Sequence, residues 1–153
     1  MSKLENRIPP PLVLLFVGVA MWVTARATPR LILPPSVHLA ASAAVAALGL
    51  AFAALGVAAF RRARTTINPV DIDAASSLVV TGIFKLSRNP MYVGMTTLLL
   101  AWALYLRAPW AAIGPPAFAL FIRRFQILPE ERVMQAKFGA AYDDYRRRVG
   151  RWL

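Results

Sequence analysis

The sequence predicts an all-α polytopic membrane protein of about four transmembrane helices, the last two a helical hairpin, followed by a C-terminal amphipathic helix. Three observations predict it. The 153 residues are 58% hydrophobic with a mean hydropathy of +0.53, too apolar for an ordinary soluble domain. Long uncharged runs alternate with short basic segments. After the last run, apolar residues recur at three- and four-residue steps among charges, the period of an amphipathic helix.

Taken in order, the first run covers residues 8–25, close to the shortest length that spans a bilayer. After Pro9 and Pro10, its helical part is expected to begin at Pro11 or Leu12. It lacks a small-residue cleavage site, so it reads as a retained span rather than a signal peptide. Residues 26–36, with Pro29, Pro34 and Pro35, read as a loop. The second run, residues 36–60, is Ala-rich with Gly49 and Gly56, small residues that suit close helix packing in lipid. His38 sits near its start. Residues 61–88 read as a loop whose partly apolar end, Leu78–Phe84, lies along the membrane surface. The third run is residues 89–106. Arg107-Ala108-Pro109 then makes a tight turn. The fourth run, 108–122, is interrupted by Gly114-Pro115-Pro116, which predicts a short or kinked arm. Pro129 is expected to open a new helix with Glu130 and Glu131 in its first turn. Its stripe is Met134, Phe138, Tyr142, Tyr145, Val149 and Trp152. Asp143–Arg147 and Asp144–Arg148 are expected as i,i+4 pairs, and Gly139 as a bend.

Eighteen Lys and Arg face seven Asp and Glu, a formal charge of +11. With both termini cytoplasmic, only Arg26, Arg30 and Arg107 fall outside, in keeping with the positive-inside rule. The localisation expected is the cell (inner) membrane. Nucleic acid is the other use of such charge, but the basic residues flank apolar runs instead of forming one face, so no nucleic-acid partner is expected. The absence of cysteine and the single histidine exclude thiolate chemistry and a multi-histidine metal site; no metal is expected.

The chemistry concentrates in Ser87-Arg88-Asn89-Pro90-Met91-Tyr92-Val93-Gly94. Pro90 suits the first turn of a helix and Asn89 its N-cap. Arg88 is left at headgroup depth with donors free for an anion. Gly94 offers a close approach to a ligand. A hairpin of the last two spans brings Glu130 and Glu131 to the same depth. Two carboxylates, a guanidinium and an aromatic ring suit a small zwitterion with a flat base, such as S-adenosylmethionine. Helix-dipole compensation is the plainer reading of the glutamate pair.

Two blocks carry a resemblance. Thr81-Gly82-Ile83-Phe84 with Ser87–Gly94 is the first. Pro129-Glu130-Glu131 with Lys137-Phe138-Gly139, Tyr142, Tyr145, Arg148-Val149 and Arg151-Trp152 is the second. In order and separation they resemble the isoprenylcysteine carboxyl methyltransferase and phospholipid methyltransferase superfamily. The resemblance covers roughly residues 65–153, which would form the cofactor-binding catalytic half of a single domain over 1–153. Residues 1–64 would supply two N-terminal spans. It implies an S-adenosylmethionine-dependent membrane enzyme without a Rossmann domain. Gly82, Arg88, Asn89, Pro90, Tyr92, Gly94, Glu130 and Glu131 would bind the cofactor, with Arg88 and Glu131 acting in catalysis. Asn89 stands where the superfamily more commonly has histidine, and it cannot carry a proton.

The expected reaction is methyl transfer to a lipid-like or prenylated acceptor among the membrane lipids at the cytoplasmic face. O-methylation of a carboxylate needs no base, and the lack of an available histidine favours that or another acidic nucleophile, or leaves a glutamate as base. N-methylation of a phospholipid head is the alternative. A non-catalytic membrane scaffold that holds anionic lipid is the alternative of another class, and a reductase on a related fold is a third.

Overall fold

The structure, a computed structural model, describes residues 8–63 and 78–153. The expectations for the polar leader before Ile8, and for most of the loop from Arg64 to Ser77, lie outside those residues. Among the described residues five α-helices follow one another: α1 Pro10–Ala27, α2 Pro35–Arg62, α3 Pro90–Leu106, α4 Gly114–Ile122 and α5 Leu128–Arg148. No strand occurs among the described residues. The protein is an all-α membrane protein. Helices α1 and α2 are long and apolar enough to cross a bilayer, and α3 is a shorter apolar helix. Large apolar side chains point outward along them: Phe16 is 76% exposed, and Leu12, Leu15, Val19, Leu48, Leu50 and Leu55 are exposed as well. Water would penalise that surface, whereas lipid solvates it.

Proline marks the start of each of the first three helices. Pro10, Pro35 and Pro90 stand in the first turn, where the missing N–H leaves no bond unmade. At the far end of α3, Arg107 takes a left-handed conformation, φ 57°, and turns the chain into a 3₁₀ turn at Pro109–Ile113. The Leu31 N–H donates to the Arg107 carbonyl at 2.7 Å, so the α1–α2 loop and the α3–α4 turn lie at one end of the molecule.

Apolar burial gives helices little reason to associate in lipid, so contact has to come from close packing. Helices α2 and α3 achieve it with glycine. A side chain on Gly94 would come within 2.6 Å of the Gly49 carbonyl and 2.8 Å of the Ala53 amide nitrogen. One on Gly49 would meet the Gly94 carbonyl at 2.9 Å. On another side of α3, Trp102 donates its indole N–H to the Gly18 carbonyl of α1 at 3.0 Å. Phe118, Ile122 and Ile127 are fully buried among Val13, Met21, Tyr92 and Leu99.

The fourth arm is short, as expected: Gly114-Pro115-Pro116 divides the 3₁₀ turn Pro109–Ile113 from α4, nine residues with proline again in the first turn. Two expectations for the C-terminal third are corrected. Pro129, Glu130 and Glu131 do stand in the first turn of α5, but α5 is not a separate helix opened by Pro129. Helix α4 runs through a π turn, Arg123–Ile127, straight into α5, and the Leu128 N–H bonds back to the Arg123 carbonyl. Pro129 lacks the N–H that would reach Phe125, and its ring would crowd that carbonyl; a widened turn just upstream relieves both problems. The ion pairs are Asp143–Arg146 at 3.5 Å and Asp144–Arg147, both at i,i+3. Arg148 instead turns its Nε–H to the Asp144 carbonyl at 3.2 Å.

Gly139 does bend α5, with φ 49° and ψ −122°, a conformation that a side chain would strain. The apolar stripe of α5 covers protein rather than lipid. Tyr142 and Tyr145 are buried with Val79 and Phe84, against Phe60 at the end of α2, Met134, Phe138 and Val149. The segment Leu78–Phe84 therefore packs against α5 through Val79 and Phe84.

Candidate functional site

The site is built where the loop before α3, the first turn of α3, the start of α5 and the C-terminal tail meet. Arg88 leaves the 3₁₀ turn Gly82–Lys85 and is fixed by its backbone: its N–H donates to the Gly150 carbonyl at 3.0 Å. Its guanidinium lies 2.9 Å from the Glu131 carboxylate and donates to the Tyr142 hydroxyl at 3.0 Å. The Arg88 Nε is buried and has no partner among the described residues. Arg151 grips Glu131 from the other side with two parallel bonds, Nε to Oε1 at 2.9 Å and Nη2 to Oε2 at 2.8 Å. One turn into α3, Tyr92 donates its hydroxyl to Glu130 at 2.5 Å.

The two glutamates live in different fields. For Glu131, burial opposes the charge, but the hydrogen bonds from Arg151 and the charges of Arg88, Arg151 and Arg146 outweigh it and hold the carboxyl below its ordinary range. For Glu130, removal from water dominates. The Tyr92 hydroxyl offsets only part of it, the neighbouring Glu131 charge adds to it, and the carboxyl is pushed up to about 7. The pair thus combines one firmly ionised carboxylate with one poised near neutrality. Tyr142 is raised, by burial first and by the Glu131 charge second.

Compensation of a helix end does not explain these acids. Helix α5 has no free N-terminus, because α4 and the π turn run into it without a break. The partial positive charge of unpaired N–H groups is therefore missing at Glu130 and Glu131.

The structure brings together Arg88, Asn89, Pro90, Tyr92, Glu130 and Glu131. Asn89 occupies the N-cap position of α3 but makes no capping bond; its amide donates to the Arg151 carbonyl at 2.9 Å instead. Pro90 has no N–H to cap, and the Ser87 hydroxyl accepts the Asn89 N–H at 3.0 Å. Gly82 has φ 61° and nothing within 4 Å of where a side chain would begin, so its backbone is open to a ligand. Gly94 faces the other way: the room left by its missing side chain is filled by Gly49 and Ala53 of α2. His38 is remote. It lies at the opposite end of α2 from Phe60, its ring nitrogen 3.2 Å from the Pro34 carbonyl.

The second block of the resemblance contains Tyr142 and Arg151, but sequence reasoning gave neither a partner: it missed the Arg151 fork on Glu131 and the bond from Arg88 to Tyr142. Arg146, Arg147, Arg148 and Arg151 look alike in a basic tail. The signal available was Trp152 beside Arg151, an apolar anchor that packs on the main core and draws the tail inward.

A bundle of apolar helices with an ionic cluster of two glutamates, two arginines and two tyrosines at one end defines a membrane protein with a polar site beside its spans. The model of the phospholipid methyltransferase family matches residues 37–141, from the first turn of α2 past the Gly139 bend. The chain belongs to that family, part of the isoprenylcysteine and phospholipid methyltransferase membrane superfamily. An uncharacterized protein of Haemophilus influenzae is 43% identical over 63 residues, 41% of this chain and the whole of that protein. No solved structure matches.

Proposed function

We propose that this chain transfers the methyl group of S-adenosylmethionine to the polar head of a lipid-like acceptor, at the cytoplasmic face of the cell (inner) membrane. The observation that carries the proposal is the shared Glu131 carboxylate. It is held between Arg88 and Arg151, beside Glu130 and Tyr92, in a chain of a membrane methyltransferase family.

The residues fit the cofactor's chemistry. The orphaned, buried Arg88 Nε suits a carboxylate, and Glu131, with Glu130 beside it, suits an ammonium. The exposed backbone at Gly82 has space beside it for a ligand to approach. When bound, S-adenosylmethionine supplies an electrophilic methyl on a cationic sulfur. The chain's own contribution is to orient and to exclude water. Arg88 and Glu131 fix the zwitterionic end, and Tyr92 holds Glu130 in place. Gly94 acts at a distance by seating α3 on α2. Residues 78–153 with the end of α2 supply this chemistry; the remaining helices embed it in lipid.

A carboxylate acceptor, as on a prenylated cysteine, is the favoured substrate. Arg88, Arg151 and Arg146 outnumber the one firmly ionised glutamate, so the site attracts an anionic head. One observation favours a second reading. With a pKa of about 7, Glu130 can take a proton from an ammonium, as N-methylation of a phospholipid amine requires.

Radiolabelled methyl transfer in liposomes tests both. A base-labile product releasing methanol is expected for a carboxylate acceptor, which is itself ionised between about pH 6 and 8. A base-stable product with a rate that climbs with pH assigns the amine. No label in any lipid, together with no cofactor binding, defeats the proposal and leaves a scaffold.

A further inference from the structure

Arg151 belongs to the second block of the resemblance, lies beyond the residues 37–141 that the family model matches, and stands on a tail that follows the last helix. A basic residue there would ordinarily be a solvated charge. Its surroundings contradict that. The Glu131 side chain it grips is only 13% exposed, and the grip is a two-bond fork, which fixes direction as well as distance. The backbone around it is tied down independently. The Gly150 carbonyl accepts the Arg88 N–H at 3.0 Å, and the Arg151 carbonyl accepts from the Asn89 amide at 2.9 Å and the Ser87 hydroxyl at 3.4 Å. Trp152 packs on the main core. The tail is thus stitched to Ser87, Arg88 and Asn89 and to the first acidic turn of α5.

We propose that Arg151 is a positioning residue of the site: it sets the orientation of the Glu131 carboxylate and, through its own carbonyl, holds the Asn89 amide and the loop that carries Arg88. The inference rests on the reading of Glu131 as a cofactor-binding group. Arg88 cannot do this alone. It reaches one Glu131 oxygen with Nη1, and the same nitrogen also serves Tyr142. With Arg151 removed, one carboxylate oxygen loses its donor and the side chain is free to rotate. The charged and titratable groups facing Glu131 are Arg88 from the loop, Tyr142 and Arg146 from α5, Arg151 from the tail, and Glu130 beside it in sequence. Of the groups that keep the carboxyl ionised, Arg151 contributes most.

The experiment compares full-length wild type with Arg151→Gln and Arg151→Lys in detergent. Affinity for S-adenosylmethionine is measured by calorimetry across pH, and melting of the ligand-free protein is followed over the same range. Arg151→Gln is expected to bind roughly tenfold or more weakly, the loss of one charge-assisted contact. The acid limb of its affinity should move up toward the ordinary carboxylate value of about 4.3. Arg151→Lys restores the charge without the fork, so the acid limb should return while the affinity recovers only in part. Equal affinity and an unmoved acid limb in Arg151→Gln overturn the proposal.

The melting curves separate this inference from the functional reading. If Arg151 acts on the Glu131 charge, the wild-type advantage over Arg151→Gln should be present near neutrality. It should vanish as the pH falls through the depressed folded pKa. A constant offset at every pH makes the tail contact merely structural and overturns the inference. Wild type that binds no cofactor yet shows converging melting curves defeats the functional reading instead.

Discussion

Asn89 donates its side-chain amide to the carbonyl of Arg151, across 2.9 Å of space and 62 residues of chain. The bond joins the loop in front of α3 to the tail behind α5, and it needs only a donor. A histidine at the same position also carries an N–H and could make it. Asparagine thus supplies the anchor without a titratable proton.

Asn89→His is accordingly expected to leave melting and cofactor affinity within about twofold of wild type. Asn89→Asp should be far worse. It sets an acceptor against the Arg151 carbonyl and should lose roughly 1–3 kcal/mol of stability, the cost of an unmade buried bond. Thermal melts in detergent, read beside calorimetric affinity, check both. Equal damage by His and Asp would mean that the amide's shape matters and its donor does not.

Packing of α2 on α3 makes a second prediction. Gly94→Ala places a methyl 2.6 Å from a backbone carbonyl that no side-chain rotation can move. It should cost about 1–3 kcal/mol, as overpacking does. Gly18→Ala meets only a leucine methyl at 3.9 Å, an ordinary contact, and should be neutral or slightly stabilising in a helix. Unfolding in a denaturing detergent series distinguishes them. Equal stability of the two variants would show that α2 and α3 have slack at Gly49.

Glu130 gives a pH dependence of defined sign. Its folded pKa, about 7, lies above the unfolded value, so the folded state holds the proton more tightly. Its contribution to stability is fully present below about pH 4.3 and is lost as the pH rises through 7. The total lost is a few kcal/mol at most, at about 1.4 kcal/mol per pH unit. Glu130→Gln should flatten melting temperature between about pH 5 and 8. Tyr92→Phe removes the hydrogen bond that lowers this pKa and should move the midpoint upward. A wild-type melting temperature that does not vary between about pH 5 and 8 would contradict both expectations.

Orientation is tested with single cysteines, which the cysteine-free sequence makes simple. Ala140 on α5 and Ser36 at the start of α2 are both exposed. A membrane-impermeant thiol reagent added to intact cells should label Ser36→Cys and spare Ala140→Cys. The reverse pattern would put the ionic site on the outer face.

Much of the fold is legible in the chain because its punctuation is local. Runs expected at 8–25, 36–60 and 89–106 appear as helices Pro10–Ala27, Pro35–Arg62 and Pro90–Leu106, each opened by a proline whose effect acts on its own residue. Gly139 bends α5 for an equally local reason. The meeting of Arg88 with Glu131 and of Tyr92 with Glu130 follows from the hairpin, since equal depth and short connections leave few other neighbours. What could not be read depends on partners distant in sequence. The Asn89 amide and the Arg151 fork choose among several equivalent donors and acceptors, and only tertiary contact makes the choice. The helix partner of Gly94 could not be read either, because close approach favours glycine whether a cofactor or a helix arrives.

The π turn at Arg123–Ile127 has a consequence of register. A helix advances by about 100° per residue, and a π turn carries one residue more than an α turn. Everything beyond Ile127 is therefore rotated by about that angle relative to an unbroken α-helix. Deleting Phe125 alone would leave every carboxylate, arginine and tyrosine of the site in the chain. The segment could then close as ordinary α-helix, swinging Glu130 from Tyr92 and Glu131 from Arg88 by more than a quarter of a revolution. In this stretch the number of residues is itself the instruction, and a tally of residue types would never reveal it.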